Sequence, residues 1–435
     1  MFGTVPTIRK FIADYRPIIG EERVEALKRL AKPLRGARVL HLNATAFGGG
    51  VAELMATIVP LMNDLGLRAE WQVIKGADEF FQVTKAMHNG LQGMYVPWTP
   101  AMRETWERYN RLNADLFDED YDFVVVHDPQ PAGVLAYLQE KRERRGKWVW
   151  RCHIDLTEAQ PEVWDFLRPH VEGYEGAVFT RQSYAKKDLH SPQIRIMPPS
   201  IDPLSPKNME LSLEASYSIV ERYGLDPGRP IISQTSRFDP WKDTLGVIDV
   251  FRCARQHVMG LQLVLIASMA ADDPEGWSYY ERIVRYAEND PDIHVLTNLN
   301  GVGNVEVNAF QRASDVVIQK SIREGFGLVV SEALWKGRPV VGGNAGGIPL
   351  QVLDGKTGYL VSTTEQCTEK VLYLLEHPRV ARRMGQEGKE HVRKRFLLTR
   401  NVGDYLDFFA SLSQARAAAR PRAAEANDGP RIPVS

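Results

Sequence analysis

The amino-acid order predicts an α/β protein made of two doubly wound, Rossmann-like domains. Three observations lead there. Short apolar runs rich in β-branched residues alternate with helical stretches, the signature of a parallel sheet covered on both faces. The proline-rich segment MPPSIDPLSPK at residues 197–207 has four prolines in eleven positions and no apolar period, so it reads as a linker. After it, the alternation begins afresh.

In the first half, GEERVEALKRLAKPLRG reads as an amphipathic helix with Val24, Leu27 and Leu30 on its apolar face, stopped by Pro33 and Gly36. RVLHL is a strand that opens into NATAFGGG and a helix carrying Pro60, expected to kink it, and ending at Gly66. Strands AEWQVI, DFVVVH, KWVWRC, GAVFT and IRIMP follow. In the second half, PIISQ, LQLVLIAS, IHVL, DVVIQ and VVGG alternate with helices near residues 245–257, 277–288, 305–313 and from Leu328. Residues from about 413 onward hold alanine, arginine and proline with almost no large apolar side chains, and are expected to be a disordered tail.

Composition narrows the class. With 435 residues there is room for two or three full-sized cores, and the formal net charge of -1 leaves no electrostatic footprint for nucleic acid or an anionic membrane. No apolar run reaches eighteen residues, and MFGTVPTIRKFIADYRP lacks the apolar core of a signal peptide, so the expected location is the cytoplasm. Three scattered cysteines argue against a disulfide framework or a zinc site. H-E-x-x-H and paired C-x-x-C are absent, and no metal ligand set is expected.

The richest stretch is SIREGFGLVVSEALWKGRPVVGG, residues 321–343. A buried strand feeds a loop bearing Glu324, Gly325, Phe326 and Gly327, then a helix from Leu328 that Gly337 and Pro339 stop. Loops at the carboxyl ends of parallel strands are where open α/β sheets bind ligands. The bare helix start at Gly327 lets backbone amides approach an anion. Glu324 and Glu332 would lie about 12 Å apart at helical rise, too far to share one bond as a hydrolytic pair, and fit two holds on one long ligand.

Two other loops belong with it. TSRFDPWKD, at the end of the second domain's first strand, places Arg237 and Lys242 where two cations can clamp a pyrophosphate. Gly48, Gly49 and Gly50 let the backbone after RVLHL pass close to a ligand, although the G-x-G-x-x-G dinucleotide spacing is missing. His153 and Asp155 follow KWVWRC at the ligand edge of the first sheet, and HDPQP from His127 ends the neighbouring strand. His153 reads as a base, a donor to a sugar, or a polar strand end.

The R-x-x-x-x-K loop, E-G-F-G-L-x-x-x-E and G-x-P-V-V on two Rossmann-like domains together resemble retaining nucleotide-sugar glycosyltransferases of the GT-B type, whose domains face a central cleft. The segments LHLNATAFGGGVAELM, EFFQVTKAMHNGLQG, VVHDPQPAG, RCHIDLTEAQPEVW, MPPSIDPLSPKN and SRFDPWKD are similar to the trehalose glycosyltransferring synthases, whose relatives include retaining trehalose phosphorylases. The resemblance implies a first domain over 1–198 that binds the acceptor, a second over 199–396 that binds the nucleotide sugar, and a helix over 397–412 crossing back. It implies transfer of glucose from a nucleotide diphosphate glucose to glucose, reversibly, giving α,α-trehalose. No metal or other cofactor takes part in such a reaction, and the partners are these small molecules, with a homodimer compatible. Arg237, Lys242 and Glu324 would be catalytic. Gly49, Gly50, Gly325, Phe326, Gly327, Leu328 and Glu332 would hold the donor, and His153 and Asp155 the acceptor side. Leu350 and Gln351 stand where many glycosyltransferases carry a Glu after Gly346-Gly347-Ile348-Pro349. Competing readings are a phosphorylase using inorganic phosphate and a sensor without catalysis; a nicotinamide-dependent oxidoreductase is disfavoured by the missing fingerprint.

Overall fold

The computed structural model describes residues 2–46, 49–143, 145–190, 192–269 and 274–419. Seven strands build the first sheet: β1 (Gly3–Thr4), β2 (Arg38–Asn43), β3 (Arg68–Val73), β4 (Phe123–His127), β5 (Lys147–Arg151), β6 (Gly176–Phe179) and β7 (Gln193–Ile196). Their spatial order is β1-β3-β2-β4-β5-β6-β7, parallel except for β1 against β3. Six more form the second sheet: β8 (Ile231–Thr235), β9 (Gln262–Ala267), β10 (Ile293–Thr297), β11 (Val316–Gln319), β12 (Val340–Gly343) and β13 (Gly358–Val361). They run β10-β9-β8-β11-β12-β13, all parallel.

Burial explains why these runs are strands. Every residue of β4, β9, β11 and β12 is buried, as expected for sheet covered by helices on both faces, where Val and Ile fit the pleat. Strand order reverses between β2 and β4 in the first sheet and between β8 and β11 in the second. A crevice opens at each reversal, because neighbouring crossovers leave to opposite faces. The loops read as ligand-facing all leave strands at or beside these crevices.

The chain passes between domains in two touching segments. Ile201 N–H donates to the Phe396 carbonyl at 2.8 Å and Leu398 N–H to the Ile201 carbonyl at 2.9 Å. Asp202 is tied to the first domain by Lys10 at 2.6 Å, the Tyr15 hydroxyl at 2.9 Å and the Thr57 hydroxyl at 3.0 Å. The Pro206 carbonyl already accepts from Asn308 of the second domain at 3.1 Å. The linker therefore changes allegiance within 203–205, a much shorter stretch than its proline content indicates.

The closing helix Leu398–Ala419 returns to the first sheet. Phe409 stacks on Phe123 at 4.3 Å, and Phe408 sits where a Cβ on Gly176 would come within 2.5 Å of its ring. This helix runs past residue 412, so 413–419 are helical and not the start of a tail; alanine is the best helix former, and propensity outweighs the shortage of apolar residues there. Residues 420–435 lie outside the described residues. The Glu21–Ala31 helix also corrects the sequence reading: Val24, Leu27 and Ala31 are buried while Leu30 is 37% exposed. Strands β1 and β13 had no counterpart among the predicted elements.

Phe409→Ala is expected to destabilise the protein by about 3–5 kcal/mol, the usual cost of emptying a buried aromatic site. Urea unfolding followed by far-ultraviolet circular dichroism measures it; a loss below about 1 kcal/mol would show that the returning helix is not part of the first domain's core.

Candidate active site

Loops from the second sheet's reversal point bring a cation and a carboxylate together. Lys242 closes the short turn Pro240–Lys242, which Asp239 caps by accepting the Trp241 N–H at 3.0 Å. Its Nζ meets Glu324 Oε2 at 2.8 Å, with both side chains about nine-tenths buried at 12% and 10% exposure. Ser321 Oγ donates to the same carboxylate oxygen at 3.1 Å. Ile322 N–H donates to the Trp241 carbonyl at 2.9 Å, so the two loops are joined by backbone as well. Gly327 takes φ +79° to start the helix Leu328–Trp335, and a Cβ there would lie 3.1 Å from the Glu324 stem. Lys320 pairs with Asp243, which holds φ +50° to cap the helix Thr244–Ala254.

The first domain supplies the opposing wall. Gly49 opens the helix Gly49–Asp64 at φ +75°, and a Cβ on Gly50 would lie 2.9 Å from the Leu328 side chain of the second domain. His153 is half-buried, and its backbone carbonyl faces Gly325 at 3.0 Å from where a Cβ would be. Asp128, at φ +64°, accepts the His153 N–H at 2.8 Å and so fixes the start of this loop. Burial lifts the Asp128 carboxyl to about 6, and burial holds the His153 imidazole well below its ordinary range, with the Arg151 guanidinium adding to that. Asp155 accepts from the Thr157 N–H at 2.9 Å, and its carboxylate also faces the Tyr184 hydroxyl, whose pKa is raised by burial and then by Asp155.

Contacts across the cleft are made largely to backbone. The Tyr184 hydroxyl donates to the carbonyls of Glu324 and Gly325 at 3.2 and 3.0 Å. Arg181 donates to the Gly346 carbonyl at 2.5 Å, and Arg323 to that of Gln92. At Gly346, φ is +53° and a Cβ would meet the Glu324 carbonyl at 1.5 Å, so only glycine allows this loop to close on the Glu324 loop.

Not all the predicted residues converge. Lys242 and Glu324 do, with Gly325, Gly327 and Leu328 around them. Arg237 is 72% exposed, with Asp239 3.5 Å away, and its charge is felt by His88 of the first domain. The Phe326 ring is core, 5.6 Å from Phe396, which leaves only its backbone to the site. Glu332 is 1% exposed: Lys207 lies 3.6 Å from its Oε1, and among the described residues its Oε2 has no hydrogen-bond partner. Lys207 also bridges to Glu53 of the first domain at 2.6 Å. Burial works against the Lys207 charge, but Glu332 and Glu53 outweigh it and raise its pKa. Gln351, in place of the customary carboxylate, donates to the Phe326 carbonyl at 2.5 Å and accepts from the Ser331 hydroxyl at 2.6 Å, a role a charged side chain would not fill. Gly48 lies outside the described residues. Asp128, Arg181 and Tyr184 were missed; the D-P after His127 was the one available signal. Among the described residues no group of three or more His, Cys, Asp or Glu could hold a metal ion, and no helix is long and apolar enough to cross a membrane.

This architecture, with the Lys–Glu pair at the reversal point, defines a glycosyltransferase of GT-B type. Residues 218–391 match the glycosyl transferases group 1 family model, and residues 41–186 match the trehalose synthase N-terminal domain model. The trehalose synthase of Thermococcus litoralis is 50% identical over 404 residues, covering 92% of this chain and 97% of its own length. The chain belongs to the trehalose synthase family. The trehalose phosphorylase of Pleurotus pulmonarius is more distant, 26% identical over 81% of this chain and 54% of that protein. Among solved structures, the α,α-trehalose 6-phosphate synthase of Burkholderia multivorans superposes with a TM-score of 0.66 at 16% identity, covering 88% of this chain and all of that one, which bears on the fold alone.

Among the described residues burial holds seven histidines below their ordinary range: His41 lowered to about 3, His88 and His170 to about 4, His127 and His153 well below normal, and His294 and His391 lowered as well. Below pH 6.5 the unfolded chain takes up protons that the folded chain refuses, so stability falls as pH drops, by up to ~1.4 kcal/mol per unit for each histidine. Carboxylates lifted by burial, Asp128 foremost, act in the opposite sense at and below their own raised pKa. The unfolding midpoint is expected to drop by several degrees from pH 7 to pH 5 at constant ionic strength. Calorimetry checks this, and a flat or rising profile would contradict it.

Proposed function

We propose that the protein transfers glucose from a nucleotide diphosphate glucose to free glucose, forming α,α-trehalose, and runs the reaction in reverse when the nucleoside diphosphate is abundant. The observation that carries this reading is the buried Lys242–Glu324 pair at the reversal point of the second sheet, beside Gly325 and Leu328, which meet the His153 carbonyl and Gly50 of the first domain. Half-identity to a trehalose synthase along almost the whole chain supports the choice of product.

In this reading Lys242 and Arg237 engage the diphosphate, and backbone amides at Gly325 and Gly327 add dipoles that favour its charge. Glu324 accepts hydroxyls of the transferred sugar. Glu332 Oε2, which has no donor among the described residues, accepts the ribose hydroxyls once the domains part at 203–205 and 396–398. The bond from the anomeric carbon to the phosphate oxygen breaks while the acceptor oxygen bonds to the same face of that carbon. The acceptor proton passes to the departing phosphate oxygen, so retention needs no enzyme nucleophile. Protein cations carry the neutralisation, and turnover is expected to persist in EDTA.

Lys242→Ala is expected to lower kcat by about 10²–10³, the range for losing one group that stabilises transition-state charge, with the fold intact by circular dichroism. Trehalose is followed from each nucleotide sugar in turn, and near-normal turnover would reject the clamp. Incubating trehalose with orthophosphate, and separately with nucleoside diphosphates, separates this reaction from phosphorolysis. Glucose 1-phosphate from the first mixture and no nucleotide sugar from the second would overturn the nucleotide reading.

A further inference from the structure

Behind the cleft, three histidine rings form an unbroken line. His41 sits on β2, His127 ends β4, and His153 follows β5, so neighbouring strands place them side by side. His41 Nδ1 lies 3.0 Å from His127 Nε2, and His127 Nδ1 lies 3.0 Å from His153 Nε2. The His127 and His153 rings are nearly parallel, 14° apart with centroids at 5.3 Å. His41 and His127 are wholly buried, whereas His153 reaches the cleft. At the inner end, the Tyr405 ring of the returning helix lies 5.6 Å from that of His41 and nearly perpendicular to it, and among the described residues His41 Nε2 has no hydrogen-bond partner.

Each contact joins nitrogens of two neutral rings, so one must carry the proton and the other a lone pair. Choosing the tautomer of any ring fixes the other two. If the N–H groups pointed inward, His41 Nε2 would carry a buried proton with no acceptor, the rarest and among the costliest defects in a folded interior. If they point outward, the inner end is only an unused lone pair. The three N–H dipoles then align with their positive ends toward the cleft, where an anionic ligand gains from them, and aligned hydrogen bonds reinforce one another.

We propose that His41 and His127 are positioning residues that lock His153 in the Nδ1–H tautomer, so that His153 offers a hydrogen-bond donor, and not a base, to an oxygen of the bound sugar or its phosphate. His127 hands the orientation outward and His41 terminates the line. The kinetic arm of the test rests on the proposed glucosyl transfer; the spectroscopic arm does not.

The full-length protein, labelled with ¹⁵N-histidine, is examined at pH 7 by long-range proton–nitrogen correlation, with His41→Phe, His127→Phe and His153→Phe used only to assign signals. All three residues are expected to be neutral with the proton on Nδ1, the minor form of free histidine. A proton on Nε2 of His153, or a charged ring, overturns the proposal, and the wild-type spectrum alone decides this if a variant fails to fold. In trehalose synthesis, His127→Phe is expected to lower kcat about 10- to 100-fold while the KM of the nucleotide sugar changes less than threefold. His127→Gln, whose amide both donates and accepts, is expected to restore turnover to within about fivefold of wild type. Equal rates for wild type and His127→Phe overturn it. If the wild type makes no trehalose, the proposed reaction fails while the tautomer result stands.

Discussion

The Lys242–Glu324 pair sets the terms for everything around it. Two charges about nine-tenths buried and 2.8 Å apart have lost most of their water, and their attraction rarely repays that loss in stability. Their worth lies in being already desolvated and held. In the proposed reaction a diphosphate approaching Lys242 would meet an ammonium group already stripped of most of its hydration shell, and Glu324, freed from the pair, would turn to sugar hydroxyls. The same geometry explains the glycines nearby: Gly327 must take a left-handed φ beside the Glu324 stem, and Gly346 must let the Glu324 carbonyl pass.

That arrangement depends on how the domains are coupled. Tyr184, Arg181 and Arg323 grip carbonyls across the cleft, so what they hold is the course of the main chain in the Glu324 loop and its neighbours. Lys207 makes the coupling electrostatic as well, since it faces Glu53 from one domain and Glu332 from the other. Lys336 beneath them is fully buried and lowered to about 7 by burial, which Glu332 partly offsets. A buried cluster spanning two bodies is costly to leave half satisfied, and this favours discrete open and closed states over a continuum.

Much of this was legible in the sequence, and the parts that were not share a reason. Parallel strands buried on both faces announce themselves as apolar β-branched runs, and Gly or Pro punctuation marks the loops beyond them, so Lys242, Glu324, Gly49 and His153 could be placed from sequence alone. What periodicity cannot report is a partner distant in the chain. Nothing in the sequence near Glu332 reveals Lys207 lying over it, and nothing near Glu324 reveals Tyr184. Phe326 sits in a loop of ligand-facing residues, yet its ring goes to the core because Phe396, seventy positions later, leaves a place for it. Leu30 went wrong for a local reason: a three-residue step from Leu27 and a four-residue step to Ala31 are both helical, and only packing chooses between them.

The histidine line bears on the chemistry left open by the sequence, where His153 read equally well as base or donor. A base must offer a lone pair to the cleft. In the outward arrangement His153 offers a proton there and receives one from His127 behind it, so it cannot also deprotonate an acceptor hydroxyl without disrupting two further rings. In the proposed transfer, the proton released as the new glycosidic bond forms would then have the departing phosphate oxygen as its natural destination, since that oxygen gains basicity as its bond to the anomeric carbon lengthens. The buried histidines and the buried Lys–Glu pair thus act in complement. Under the proposed mechanism one set would orient a donor and withhold a base, the other would draw negative charge away from the breaking bond, and no nucleophilic carboxylate would be required.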